Sequence, residues 1–172
     1  LVVQHITPSF TQSFSKSLDA SCQMKVEVAV DGIKPIDGHI YVAPGDCHML
    51  LAREKSDYQI RLSDHGHVNR HRPSVDELFR SVADHARQNA TGVLLTGMGI
   101  DGAAGMAQMR QNGAWTIAQD EASSVVFGMP RAAIEMGAAA RVMSLDHIPG
   151  ELVNYFVTNS GVNQRGARKE SA

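Results

Sequence analysis

The stretch "TGVLLTGMGIDGAAGMAQMRQNGAWTIAQD" (residues 91–120) decides the fold. Its opening, "TGVLLTG", is a short apolar run of strand length. "DGAAGMAQMRQNG" has helical spacing, with Gly113 as a C′ residue that ends the helix. "AWTIAQD" is the next strand. A strand, a helix and a strand in so few residues call for a parallel pair with the helix crossing over one face.

The same rhythm continues on both sides. Upstream, Ser74 and Glu77 have the spacing of a capping box, and Val75, Leu78, Phe79 and Val82 form an apolar stripe running to about Asn89. Downstream, "MPRAAIEMG" is a short helix with Pro130 near its start and Gly137 at its end. "ARVMSL" is the last strand and "IPGELVNYFV" the last helix. Near the start, "LVVQH" reads as a strand, and Phe10, Phe14 and Leu18 recur at helical spacing. "KVEVAV" and "HIYVAPGD" are further strands. "HMLLARE" and "DYQIRLSD" pair as a hairpin across Lys55–Asp57. The fold class is α/β: a doubly wound, mostly parallel sheet with helices on both faces and a small antiparallel hairpin. Residues 1–158 form the domain, and 159–172 a polar tail or linker.

Composition narrows the function. The 172 residues carry a formal charge of −2, so neither a polyanion-binding surface nor an acidic tail is implied. Lys and Arg are dispersed except in "NRHRP" (69–73) and "RGARK" (165–169). Aromatic content of 5% gives little platform for stacking single-stranded nucleic acid. No apolar run is long enough to span a bilayer, and no signal peptide opens the chain, so membrane insertion is not expected and a cytoplasmic location is. Cys22 and Cys47 fit free thiols in a reducing compartment better than a disulfide scaffold.

Sites in parallel sheets gather at the carboxyl ends of strands. His5 ends the first apolar run, and Asp101 follows the run at 91–97. Asp101 before an Ala/Met-rich helix is by itself a good N-cap, and a lone His at a strand end is often structural. With their two strands as neighbours, they make a base and its orienting carboxylate: the acid fixes one ring nitrogen, and the other takes a proton. Gly97, Gly99 and Gly102 bring backbone N–H groups toward an anion, and the Met98 N–H is the candidate oxyanion donor. The glycine spacing is neither the dinucleotide fingerprint nor a Walker loop. His65, His67 and His71, with Asp64 beside them, cluster in one polar loop but lack a recognisable zinc spacing, and no metal or other cofactor is expected. Arg70 and Arg72 are candidate contacts for a carboxylate substrate or an acidic partner.

Several motifs in order carry a resemblance: "QHITPSFTQSF", "GHIYVAPGDCHM", "VNRHRPSVDELFRSVA", "GVLLTGMGIDGAAGM" and "GAWTIAQDEASSVVFGMPRAAIEMG". From residue 1 to about 155 the chain resembles the catalytic domain of the chemotaxis protein-glutamate methylesterase family. The resemblance implies a hydrolase that removes methyl groups from receptor glutamates, with glutamine deamidation in some members. It implies a serine–histidine–aspartate triad whose histidine falls on His5 and whose aspartate falls on Asp101, with the Met98 backbone at the oxyanion position. It implies methylated chemoreceptor helices as partners and an upstream phosphorylatable receiver domain. The family's serine lies in a glycine-rich turn after a first strand, and no such stretch occurs here. Ser9, Ser13, Ser15, Ser17, Ser123 and Ser124 do not match it. "LVVQH" begins without a polar lead-in, so the expectation is that the first strand and serine turn lie outside these 172 residues. The chain alone is then expected to be inactive, and Asp101→Asn in the parent to hurt turnover more than folding. A non-catalytic receptor-docking or small-anion-binding domain is the alternative reading.

Overall fold

The computed structural model describes residues 1–166, with side chains through Asn159. Helix α1 (Pro8–Ser21) leads to strands β1 (Lys25–Val28) and β2 (His39–Val42). The hairpin β3 (His48–Glu54) and β4 (Asp57–Ser63) follows, then helix α2 (Val75–His85). Next come β5 (Thr91–Leu94), α3 (Ala103–Gln111), β6 (Trp115–Gln119), α4 (Met129–Glu135), β7 (Arg141–Met143) and α5 (Ile148–Gly166). The fold is α/β. Strand pairs β1–β2, β5–β6 and β6–β7 are parallel, and β3–β4 is antiparallel.

Three findings differ from the sequence reading. The strands fall into separate sheets, β1–β2, β3–β4 and β5–β6–β7, rather than one. The opening "LVVQH" contributes a single parallel bridge from Val2 to Val42, with Val2 N–H donating to Tyr41 O and Val2 O accepting from Ala43. The apolar stripe of α1 is only in part its buried face, with Phe14 and Leu18 half-buried. Phe10 is 63% exposed, whereas Thr11 and Ser15 are buried. Thr11 Oγ1 turns back to the Thr7 carbonyl instead of staying unpaired. Helix α5 runs on to Gly166, and residues 167–172 lie outside the described residues.

The stripe on α2 is as expected: Val75, Leu78, Phe79 and Val82 are buried with Met106, Met109 and Leu94. The close packing of α2 on α3 explains two glycines. Gly105 has its N–H on Asp76 Oδ1 at 2.7 Å, and a Cβ there would stand 2.8 Å from the Asp76 carbonyl. Gly102 has φ +91°, and a Cβ there would meet Val75 and Leu94 at 2.7 and 2.8 Å. Left-handed backbone and a clash against the core act together. Gly102→Ala is therefore expected to destabilise the domain by about 2–4 kcal/mol, read as a lower urea midpoint.

Candidate active site

The site forms where three segments meet: residues 4–8, the loop 64–74 before α2, and the glycine turn 97–102 after β5. His5 Nε2 lies 2.8 Å from Asp101 Oδ2. The two residues come together as expected, although no hydrogen-bonded ladder joins residues 1–5 to β5. Asp101 is 0% exposed and the His5 side chain 20%.

Asp101 does not cap its own helix. The N-cap of α3 is the left-handed Gly102. The Asp101 carboxylate caps α2 instead. Oδ2 accepts the Val75 N–H at 2.7 Å, and Oδ1 accepts the Asp76 N–H at 3.3 Å. Ser74, the N-cap residue of α2, makes no side-chain cap bond; its hydroxyl donates to Asp101 Oδ1 at 2.6 Å. The capping box with Glu77 is thus replaced by a carboxylate from another element. Asn69 Nδ2 adds bonds to Asp101 Oδ1 at 2.9 Å and to Asp76 Oδ2 at 2.7 Å. Burial alone would raise the Asp101 pKa. Bonds from His5, Ser74, Asn69 and the Val75 N–H outweigh it and hold the carboxyl well below its usual range. A fixed anion at a helix N-terminus, with one oxygen on an imidazole, is suited to orienting a base. If Nε2–H donates to Asp101, Nδ1 is the nitrogen left to take a proton.

A second histidine supports this corner. His48 is fully buried; Nδ1 accepts the Ser74 N–H at 3.2 Å, and Nε2 donates to Gly66 O at 3.1 Å. These roles require a neutral ring. Burial is the largest influence and lowers its pKa. The unfolded chain therefore binds that proton more readily than the fold does. The stability involved is present above about pH 6.5 and is lost as pH falls below it. Thermal midpoints between pH 5 and 8 are expected to fall on the acid side, and His48→Gln should flatten that slope.

The other expected residues separate. Arg72 Nη1 is tied to the carbonyls of Asp64 at 2.6 Å and His65 at 3.3 Å, so it braces the loop. Arg70, His67 and Arg72 itself line an open crevice of about 530 Å³, shared with His5, His71 and Phe10. His65 stacks on His48 and pairs with Glu77. His71 stacks on His5. The loop histidines are thus divided between different partners, and among the described residues no group of three or more His, Cys, Asp or Glu could hold a metal. Cys22 and Cys47 are both free.

The glycine turn is pinned from one side. The Gly97 N–H donates to Val126 O, and Gly97 O accepts from Gly128 and Met129. The Met98 side chain is 79% exposed, and among the described residues no acceptor takes its N–H. Among the described residues, the serines do not complete a triad. Ser123 bonds to Asp120, and Ser124 to the Asp120 carbonyl. Ser74 is buried and bonds to the acid rather than to His5. Asn69, Ser74, His48 and His71 were not identified from sequence in these supporting positions. The only local signal was the polar turn residue Asn69 beside the motif that starts α2.

Comparison with known proteins gives one consistent result. Residues 1–152 match the family model described as CheB methylesterase. Proteins named protein-glutamate methylesterase/protein-glutamine glutaminase from Salmonella typhimurium strain LT2 and Escherichia coli O157:H7 are each 56% identical over 153 residues. Those matches cover 89% of this chain but 44% of each relative, so the chain spans less than half their length. The crystal structure of the Thermotoga maritima CheB methylesterase catalytic domain superimposes with a TM-score of 0.87 at 36% identity, covering 90% of this chain and 82% of that one.

Proposed function

The chain belongs to the CheB methylesterase family, and on that premise we propose that it supplies the base, orienting acid and oxyanion loop of a protein-glutamate methylesterase. The observation that carries this reading is the 2.8 Å contact between His5 and the fully buried Asp101 beside an open crevice. The nucleophile is a serine from outside these 172 residues. Its Oγ attacks the γ-ester carbonyl of a receptor glutamate while His5 Nδ1 takes its proton. The tetrahedral oxyanion faces the Met98 N–H. Collapse expels methoxide, which leaves as methanol with the proton from His5. Water, deprotonated by His5, then cleaves the acyl-enzyme to free glutamate and serine. Asp101 holds the ring and stabilises the imidazolium. The same steps on a glutamine side chain release ammonia.

The substrate is a methylated chemoreceptor helix in the cytoplasm, and a receiver domain upstream in the parent regulates access. No helix among the described residues is long and apolar enough to cross a membrane. Arg70 is the substrate-side cation of the crevice, and Arg72 acts through loop structure. Arg70→Ala is expected to raise KM several-fold at low salt with kcat little changed, since one exposed charge contributes about 1 kcal/mol or less. Measuring KM against ionic strength checks it.

Methanol release from methylated receptor tests the whole reading. The full-length protein should release it, and the 172-residue chain should not. Receptor binding without release by the full-length protein would favour docking alone. Release by the 172 residues would sink the external serine.

A further inference from the structure

We propose that His71 is a positioning residue for His5, its ring lying flat on the catalytic imidazole and fixing the plane in which that ring meets Asp101. The proposal rests on the methylesterase reading above. The two rings lie with centroids 3.7 Å apart and 3° between their planes. The hydrogen bond from Nε2 to Asp101 sets one direction but leaves the ring able to swing about it. A parallel neighbour removes that freedom.

The turn that carries His71 is built for the purpose. Val68 and His71 exchange both backbone hydrogen bonds, at 3.0 and 2.8 Å. The two residues between them, Asn69 and Arg70, have φ of 51° and 70°. Consecutive non-glycine residues in left-handed backbone are costly and persist where the surroundings over-determine them. Here the turn grips both members of the dyad: Asn69 donates to Asp101, and His71 covers His5. The groups facing His71 are His5, His67 and Asp101, with Arg70 and Arg72 as its chain neighbours. Burial, followed by the proximity of His5, lowers the His71 pKa. A neutral ring can lie on His5 while His5 gains charge; a second cation there would oppose that charge.

The test uses full-length protein with methylated receptor, comparing wild type, His71→Ala and His71→Phe. Phe keeps a flat ring and has no proton to exchange. His71→Ala should lower kcat about 10- to 100-fold with KM little changed, the cost of a misplaced base. His71→Phe should recover most of the loss. Nitrogen-15 spectra of the His5 ring should show one Nε2–H tautomer in wild type and Phe, and tautomer averaging in Ala. Wild-type kcat with a single tautomer in His71→Ala would overturn the proposal. So would a folded Phe variant as impaired as Ala. If wild type itself releases no methanol, the methylesterase reading fails, and the tautomer spectra alone decide whether His71 positions His5.

Discussion

His5→Ala in the full-length protein should lower methanol release from methylated receptor by at least about 10³-fold while leaving the fold nearly as stable. The two halves of that expectation have separate causes. The imidazole is the group placed to accept the serine proton and return it to methoxide, so its removal ends both acylation and deacylation. The fold depends on it little. Its side chain remains 20% exposed and gives Asp101 one of several bonds. Without it, Asp101 still accepts from Asn69, Ser74 and the N–H groups of Val75 and Asp76. Loss of one such bond, with water able to replace it, costs about 1–2 kcal/mol. Radiolabelled methanol release and a urea titration on the same sample measure both quantities. Full turnover in the variant would remove His5 from the mechanism.

The difference between what was legible in sequence and what was not follows the range of the interactions. The alternation of short apolar runs with helical stripes is local, so the α/β class, the hairpin and the buried face of α2 were readable. The meeting of His5 and Asp101 was expected from the tendency of such sheets to collect sites at strand ends, but the strand neighbourhood behind that expectation is absent, since residues 1–5 bridge only to Val42 and β5 belongs to another sheet. The burial of Thr11 and Ser15 was not readable, because hydrophobic spacing pointed to Phe10, which is exposed, and gives no signal for a polar residue on the covered face. Nor was the cap of α2. Ser74 and Glu77 have the local spacing of a capping box, yet an acid 26 residues from Val75 takes the role. No periodicity encodes such a contact. The same holds for His71 on His5, which depends on a left-handed turn at residues for which sequence gives no strong left-handed signal beyond Asn69.

That displaced cap changes what Asp101→Asn should do. An orienting role alone would harm turnover and spare the fold. The structure instead leads us to expect a large loss of both: turnover down by about 10³–10⁴-fold, and stability down by about 3–5 kcal/mol, the range for a broken buried charged network. The hydrogen-bond pattern gives the reason. Oδ1 receives Asn69, Ser74 and the Asp76 N–H, and Oδ2 receives His5 and the Val75 N–H. An asparagine has one acceptor oxygen. If that oxygen takes the Oδ1 place, its NH₂ faces the Val75 N–H and forces His5 to accept at Nε2, which moves the proton to Nδ1 and disables the base. If the amide is reversed, the NH₂ faces two side-chain donors and the Asp76 N–H. Either choice leaves donors of the α2 terminus buried without partners. Acid titration separates this charge effect from loss of shape. The folded-state pKa of Asp101 is depressed, so the unfolded chain binds its proton first. The associated stability is present above about pH 4 and drains away as pH falls below it. Wild type should therefore lose stability steeply below pH 4, and Asp101→Asn should start lower and lose less. Urea titrations from pH 3 to 7 measure both slopes. A variant as stable as wild type at pH 7 would mean that the carboxylate does not hold the start of α2.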